Sequence, residues 1–591
     1  MFDNPYYDAS AAEINAHNPR TSQSICIIGS GAAGLITAHT LLQDGFTKVH
    51  ILTKDSCPGG VWEYNKVYSG VFINNVYGDY RFSPLAMPRH PDRKASDTRL
   101  SAEDMLFYME KFADTFLKDH ICYNTEVINV RRPTPPFAVD PPNWVVTIRD
   151  KDGVRDLGFD RIVLCTGGCH LPRIPRAFNP ESAKLAGFKG PIVHSSDFRM
   201  RLDDVLSAVR PVSDERPGSV VVIGGGKSAQ DIAAYLAHEG RQRNVSMIFE
   251  KTDAFVASDM HIPDFVRKSR LIGILSPHIE LRSNLERFLH KTWLGGKTVR
   301  GLFNYIQNQS FRAFLIPEGS PLRLSQDVFW SLRVNDEVTR RNNGFHALAN
   351  DGKIGIIAPA RAVAFGDDGH SIVLSDGSTV RADALVLATG YQSSWSHIFD
   401  DETANELGLG SYPPQYISDV THAKEWEYTS LKDPPTTHPD SRQWSSCVYR
   451  GIVPAKNILK RDFAINGAVF STNNGFVFET TAHWISSYFL GDHFLEIPRS
   501  PRQAVEITER SSAWLRRRYP DMLHWTNPSH CSDIAFWSWP QYTDDLLDDM
   551  GLTSGPARTG GNWMTWPFRT IDIMCISSLT WERQVKRMQP V

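Results

Sequence analysis

Ser24-Ile-Cys-Ile-Ile-Gly29-Ser-Gly-Ala-Ala-Gly34 decides the fold of this 591-residue chain. Five mostly apolar residues read as a short buried strand, and they run straight into a Gly-x-Gly-x-x-Gly turn. Leu35 to Gln43 then read as a helix, and Lys48-Val-His-Ile-Leu52 as a second strand. Each glycine has its own physical reason. Gly29 permits the tight turn, Gly31 lets backbone amides approach a diphosphate, and Gly34 lets helix and strand pack closely. The helix N-terminus adds a partial positive charge that favours phosphate. A glycine turn held between a strand and a helix in this way is a dinucleotide-binding fingerprint.

A second unit of the same kind lies far downstream. Ser219-Val-Val-Val-Ile223 reads as a strand, Gly224-Gly-Gly-Lys-Ser-Ala229 as the turn, Gln230 to His238 as the helix and Val245 to Phe249 as the closing strand. Ala229 stands where the third glycine would sit, which the fingerprint allows. Two loops imply two nucleotides, and a flavin paired with a nicotinamide is the usual reason to keep both. The expected fold class is α/β, with two Rossmann-like dinucleotide-binding domains, the first split by insertion of the second. The expected division is a polar lead-in at 1–20, an FAD domain at 21–205 and 380–500, an NAD(P) domain with a helical insertion at 206–379, and a Trp-rich C-terminal extension at 501–591. Asp253 to Arg341 read as largely helical and irregular. Asp376-Gly377 marks a tight hairpin between Ser371–Ser375 and Ser378–Arg381. The apolar strand Ala384–Ala388 then leads into Thr389-Gly390.

Composition narrows the function classes. With 41% hydrophobic and 22% charged residues the chain is an ordinary globular one. A net charge of −3 leaves no surplus for a nucleic-acid backbone. Eight sparse cysteines, with three residues rather than two between Cys165 and Cys169, argue against thiol redox chemistry and predict a cytoplasmic protein. No run of 18 apolar residues predicts a membrane span. No His/Glu spacing suits a metal. Basic residues outnumber acidic ones across 261–320, as on a solvated helical face or, alternatively, a partner or substrate funnel.

Two positions report on the nucleotides. About 20 residues past the first loop an acid normally binds a ribose hydroxyl. This chain has Thr53, a neutral and weaker partner, followed by Lys54. After the second unit's closing strand come Glu250 and Lys251. Glu250 suits a free 2′-hydroxyl, whereas Lys251 and Lys227 attract a 2′-phosphate, so NADPH against NADH stays open.

Phe188-Lys-Gly190-Pro-Ile-Val-His194-Ser-Ser-Asp-Phe198 matches Phe-x-Gly-x-x-x-His-x-x-x-Phe/Tyr, and with it the chain resembles the flavin-containing monooxygenases. Gly59-Gly60-Val61-Trp62, Cys165-Thr166-Gly167-Gly168, Leu387-Ala-Thr389-Gly390-Tyr391, Tyr449 to Pro454 and Glu479 to Trp484 resemble further family landmarks. The similarity runs from about residue 24 to 490. The Lys-Ser-Ala variant and the long C-terminal extension are most like fungal members, whose setting is secondary metabolism.

The resemblance implies FAD and NADPH (NADH being the open option) as cofactors. The expected cofactor contacts are Gly29, Gly31, Ala33, Gly34, Thr53, Lys54, Gly60, Val61, Trp62, Asn74, Val127, Thr166, Gly167, Gly224, Gly226, Lys227, Ser228, Ala229, Lys251, Thr389 and Gly390. It also implies hydride transfer to flavin N5 and capture of O2 as a C4a-(hydro)peroxide, with transfer of the distal oxygen to a small nucleophilic molecule. Neither a protein nucleophile nor a metal is required. Asn74, in Tyr68-Ser-Gly-Val-Phe-Ile-Asn74-Asn75, matches the active-site Asn of members that oxidise nitrogen and sulfur, and is the expected catalytic residue. Asn75 is the choice if the register slips by one.

Baeyer–Villiger relatives carry an acid near that position and an Arg elsewhere that holds the peroxide as its anion. Their motif ends in His-x-x-x-Trp, where this chain has Phe198-Arg199. Oxygenation of a soft nitrogen or sulfur centre is therefore expected. Ketone oxidation of Baeyer–Villiger type and a non-oxygenating redox sensor are the alternatives. His194 is expected to set the link between domains. Seven of the 15 tryptophans lie in the last 80 or so residues, as core or subunit-contact packing or as walls of an aromatic pocket. A homo-oligomer is compatible with that.

Overall fold

The computed structural model describes residues 18–89, 99–133, 142–215, 217–238, 241–258, 262–339, 341–409, 414–417 and 424–590. The polar lead-in therefore lies almost wholly outside the described residues. The first five-stranded sheet is parallel throughout, in the order Phe463–Ile465, Arg161–Leu164, Ser24–Ile28, Lys48–Leu52, Ile121–Cys122. Its central strand is apolar without alternation because both faces are covered. Ile25 and Ile27 enter one core, and Cys26 and Ile28 the core on the other side. Helix Ala32–Gln43 is buried from Ala32 to Leu41, and helix Asn474–Leu490, buried along almost its entire length, packs against it. An all-round apolar helix is stable only in such surroundings.

The second sheet is also parallel, in the order Ile192–His194, Ala384–Leu387, Ser219–Ile223, Asn244–Ile248, Ile354–Ile357. This corrects the expected boundaries at 205/206 and 379/380. The strands on either side of the 206–379 segment pair into the second sheet, because Val220–Ile223 needs a parallel neighbour and Ala384–Leu387 supplies it. The 253–341 stretch is not merely helical and irregular. Ala254–Ser258 and Val334–Thr339 pair in parallel, and the 21-residue helix Trp293–Ala313 lies between them in sequence. The hairpin through Asp376-Gly377 forms as read and gains a third strand, Ala362–Phe365.

The C-terminal 501–591 segment is no appendage. Ala504, Val505, Ala535, Trp539, Tyr542, Leu546 and Ile576 belong to the same core as Ile25 and Ile36. Trp514 sits in a separate core with Trp426, whereas Trp563 is 84% exposed. No helix among the described residues is long and apolar enough to cross a membrane.

Candidate functional site

One cavity of about 2300 Å³ opens at the carboxyl ends of both sheets, bordered by Gly29, Thr53, Thr166, Gly224, Glu250 and Ala388. Ligands of doubly wound sheets bind at that end. A single-ligand pocket is roughly 300–1,000 Å³, so this volume suits more than one occupant.

At the first loop, Gly29 has φ +109° and a Cβ there would lie 2.5 Å from the Cys165 carbonyl oxygen. A Cβ on Gly34 would lie 2.0 Å from the Gly29 oxygen, and Gly34 does not border the cavity. Gly34 therefore serves helix packing rather than cofactor contact, which corrects its expected role. Gly31 is different. A Cβ there would meet only the Gly60 Cα, at 3.6 Å, and Gly31 faces the cavity. The Gly59–Trp62 turn is seated on this loop by the Gly59 N–H, which donates to the Ser30 oxygen at 2.9 Å. Helix Ala32–Gln43 starts at Gly31 with no side-chain cap, so its first-turn amides face a cradle that a side chain would fill. That donor set fits a diphosphate.

Ala33, Gly60, Val61, Trp62, Val127 and Gly167 border the same cavity. The Thr53 hydroxyl accepts from the Asp55 N–H at 3.3 Å. Lys54 Nζ lies 3.0 and 3.1 Å from the two ring nitrogens of His170. Burial, and then Lys54, hold His170 down to about 4, while burial lowers Lys54 itself. Thr166 Oγ1 lies 2.7 Å from Ser394 Oγ.

Asn74 stands on strand Phe72–Val76, facing the cavity. Its Nδ2 donates to the Val334 oxygen at 2.8 Å, and its Oδ1 has no protein partner. The neighbouring Arg333 borders the same space, where its Nη2 donates to the Trp525 oxygen at 2.8 Å. Asn75 also borders the cavity.

At the second loop, Gly224 has φ +135° and a Cβ there would lie 2.4 Å from the Ala388 oxygen. Gly226 caps helix Lys227–Ala237 without a side chain. Lys227 and Ser228 face the cavity, whereas Ala229 is fully buried and does not, so it too is a packing position rather than a contact. The Lys227 ammonium pairs with Asp231. Glu250 is paired with Arg361 at 2.8 Å, while Lys251 is exposed on the rim. Thr389 Oγ1 donates to the Arg173 oxygen at 2.5 Å. His194 Nε2 donates to the Gly390 oxygen at 3.1 Å, and burial lowers its pKa. Its role is to tie the edge strand to the Thr389-Gly390 turn.

Sequence reading missed Arg333, Arg361 and Asp253, none of which belongs to a motif. Phe470, Phe536, Trp537 and Trp539 form an aromatic wall of the cavity, so part of the tryptophan-rich tail lines the site and part fills cores. Among the described residues no group of His, Cys, Asp or Glu is placed to hold a metal.

Residues 22–271 match the family model described as flavin-binding monooxygenase-like. The chain is 26% identical to the FAD-dependent monooxygenase resA of Aspergillus sclerotiorum, over 89% of this chain and 92% of that protein. Among solved structures it is similar to an S-allyl-L-cysteine S-oxygenase from Allium sativum, with TM-score 0.51, 16% identity and 96% and 95% of the two chains covered. It is likewise similar to cyclohexanone monooxygenase from Rhodococcus sp. Phi1 bound to NADP+, with TM-score 0.53, 16% identity and 90% and 97% covered. At that identity the structural likeness is one of fold.

Proposed function

From a chain whose residues 22–271 match the flavin-binding monooxygenase-like family model, we propose a flavin monooxygenase that uses FAD and NADPH to transfer one oxygen atom of O2 to a soft nitrogen or sulfur centre of a small, mainly apolar organic molecule. The first loop holds FAD through Gly31 and the uncapped amides at Ala32 and Ala33, and the second holds NADPH. Bound flavin supplies the oxygen-activating redox chemistry. The protein's part is to position, to dry and to hydrogen-bond the reactants.

Asn74 carries the reading. Its Nδ2 is anchored on the Val334 oxygen, which fixes the amide plane, while its Oδ1 is buried without a protein partner and is the acceptor we assign to a bound reactant. An unpartnered buried amide oxygen is costly unless a ligand satisfies it. The aromatic wall from Phe470, Phe536 and Trp537 excludes water and favours an apolar substrate body. Product analysis with panels of amines, sulfides and ketones tests this. N-oxides or sulfoxides coupled to NADPH consumption support it, and lactone or ester as the only product overturns it.

Arg361 favours NADPH over NADH. It neutralises Glu250 and leaves Lys251 as an unopposed cation on the rim. Arg361→Ala should lower the NADPH-over-NADH ratio of kcat/KM by about tenfold, because the freed Glu250 carboxylate repels a 2′-phosphate and accepts from a free 2′-hydroxyl. An unchanged ratio removes Arg361 from nucleotide discrimination.

Arg333 favours a second reading, ketone oxidation. A guanidinium bordering the same cavity as Asn74 can stabilise negative charge on an attacking oxygen, as a carbonyl substrate requires. Under this reading Arg333→Ala abolishes ester formation, whereas sulfoxidation under the first reading survives it.

A further inference from the structure

We propose that Asp253 is an internal anion that competes with the nicotinamide nucleotide's diphosphate for the second glycine loop, and so sets how tightly this chain holds NADPH and NADP+. The proposal rests on the reading of that loop as the NADPH site.

The two glycine loops differ in one respect. Helix Ala32–Gln43 begins with its first-turn amides facing open cavity. Helix Lys227–Ala237 also begins at a glycine without a side-chain cap, yet its Lys227 N–H donates to Asp253 Oδ2 at 3.1 Å. A Cβ on Gly226 would lie 3.5 and 3.9 Å from the two Asp253 carboxylate oxygens. The carboxylate therefore covers the face of Gly226 that the missing side chain leaves open, whereas at the first loop the same face of Gly31 meets only an uncharged glycine carbon, the Gly60 Cα at 3.6 Å.

Backbone contacts dictate this placement. The Asp253 N–H donates to the Gly225 oxygen at 3.3 Å, and a Cβ on Gly225 would lie 2.2 Å from the Lys251 oxygen. Thr252 is tied on its other side, donating to the Leu324 oxygen at 2.8 Å and accepting from the Gln326 N–H at 3.0 Å. The 251–253 turn thus rests directly on the glycine loop, and whatever side chain stands at 253 is delivered to the helix N-terminus.

A carboxylate and a diphosphate want the same amide donors and repel each other there. The Lys227 ammonium does not offset this repulsion freely, since it is engaged with Asp231. Burial raises the Asp253 pKa, more than the facing Arg333 and the Lys227 N–H and ammonium lower it. Asp253 is half-buried on the cavity wall, so its carboxylate can leave the Lys227 N–H for the cavity when a diphosphate takes its place, a removable plug rather than a fixed cap. Nucleotide binding must break the Lys227–Asp253 contact, and remaking it promotes release.

The test is titration of NADP+ into the FAD-loaded protein, read by quenching of flavin fluorescence, for wild type, Asp253→Asn and Asp253→Ala. Equal FAD content in the three confirms that the variants fold. The expected result is a Kd for NADP+ lower by about tenfold or more in both variants. An unchanged Kd overturns the proposal, and so does a raised one, which would make Asp253 a ligand of the nucleotide. If none of the three proteins binds NADP+, the reading of the second loop fails, and the proposal with it.

Discussion

Glycines that look alike in a motif separate once their surroundings are seen. At Gly29 a methyl group meets the Cys165 carbonyl at a positive φ, so Gly29→Ala strains the fold itself, by about 2–3 kcal/mol. At Gly31 a methyl group meets no protein atom closer than 3.6 Å and projects where the diphosphate is proposed to lie. Gly31→Ala should therefore leave the thermal transition of FAD-free protein almost unchanged while lowering FAD occupancy at least tenfold, whereas Gly29→Ala should lower both. Melting curves of stripped protein and flavin content of purified protein separate the two. Burial also raises Glu479, whose carboxyl accepts from the Ser83 N–H at 2.8 Å, from its ordinary 4.5 to about 7. Below pH 4.5 the folded and unfolded chains both carry this proton, and its stabilisation is complete. As pH rises toward 7 the unfolded chain loses the proton first, so stability falls, by up to about 3 kcal/mol. Glu479→Gln should remove that part of the fall, seen as a flatter denaturation midpoint between pH 5 and 8. A variant whose pH profile parallels wild type rules out a raised pKa at Glu479.

Helix Ala32–Gln43 places the first loop's amides, and its far end is held by a contact that no local pattern announces. Asp44, its C-cap, is a fully buried acid at the end of a helix where a negative charge is unfavourable. Arg583, also fully buried, pairs with it at 2.6 Å, and Arg587 pairs with it at 3.1 Å while bridging to Asp492 at 2.8 Å. Both arginines lie on the last helix, Leu579–Met588. Arg583→Ala should destabilise the protein by about 3–5 kcal/mol, because a buried carboxylate loses its main partner. Asp44→Asn together with Arg583→Met should recover most of that loss in urea unfolding. The strand–turn–helix units around Gly29 and Gly224 were legible because their signals are local, an apolar run followed by a glycine turn. The Asp44–Arg583 pair was not, since nothing in the periodicity of either helix points to a partner more than five hundred residues away. The same limit explains Ile192–His194 and Ala384–Leu387. Their apolar character marks strands, but choosing between two parallel sheets depends on which edge is free after the rest has folded.

At the scale of the molecule, the site belongs to three lengths of chain at once, and the last of them was the least readable. Glycine loops announced both nucleotide cradles, while Arg333, Arg361 and Asp253 are ordinary charged residues whose meaning arises only from what they face. The tail was legible only as a crowd of tryptophans. In the structure, 501–591 supplies Ala504, Val505, Tyr542, Leu546, Leu547 and Leu579 to the core built on the central strand of the first sheet, and Phe536 and Trp537 to the cavity wall. Removing it would uncover apolar surface on helix Asn474–Leu490, which packs against both Ala32–Gln43 and Trp539–Asp549. At roughly 25 cal/mol per Å² of apolar surface, uncovering about 600 Å² would cancel even the upper end of the margin of about 5–15 kcal/mol that holds a domain folded. A chain ending at residue 500 should therefore be insoluble or free of flavin, even though both glycine loops remain. By contrast Trp563→Ala, at a ring that is 84% exposed, should change the melting temperature by no more than about a degree, as surface substitutions do. Soluble yield and the flavin-to-protein absorbance ratio decide the matter. A truncated protein that stays soluble with full FAD would make the tail an accessory to a self-sufficient pair of domains, and loss of substrate oxidation alone would then confine its role to the aromatic wall.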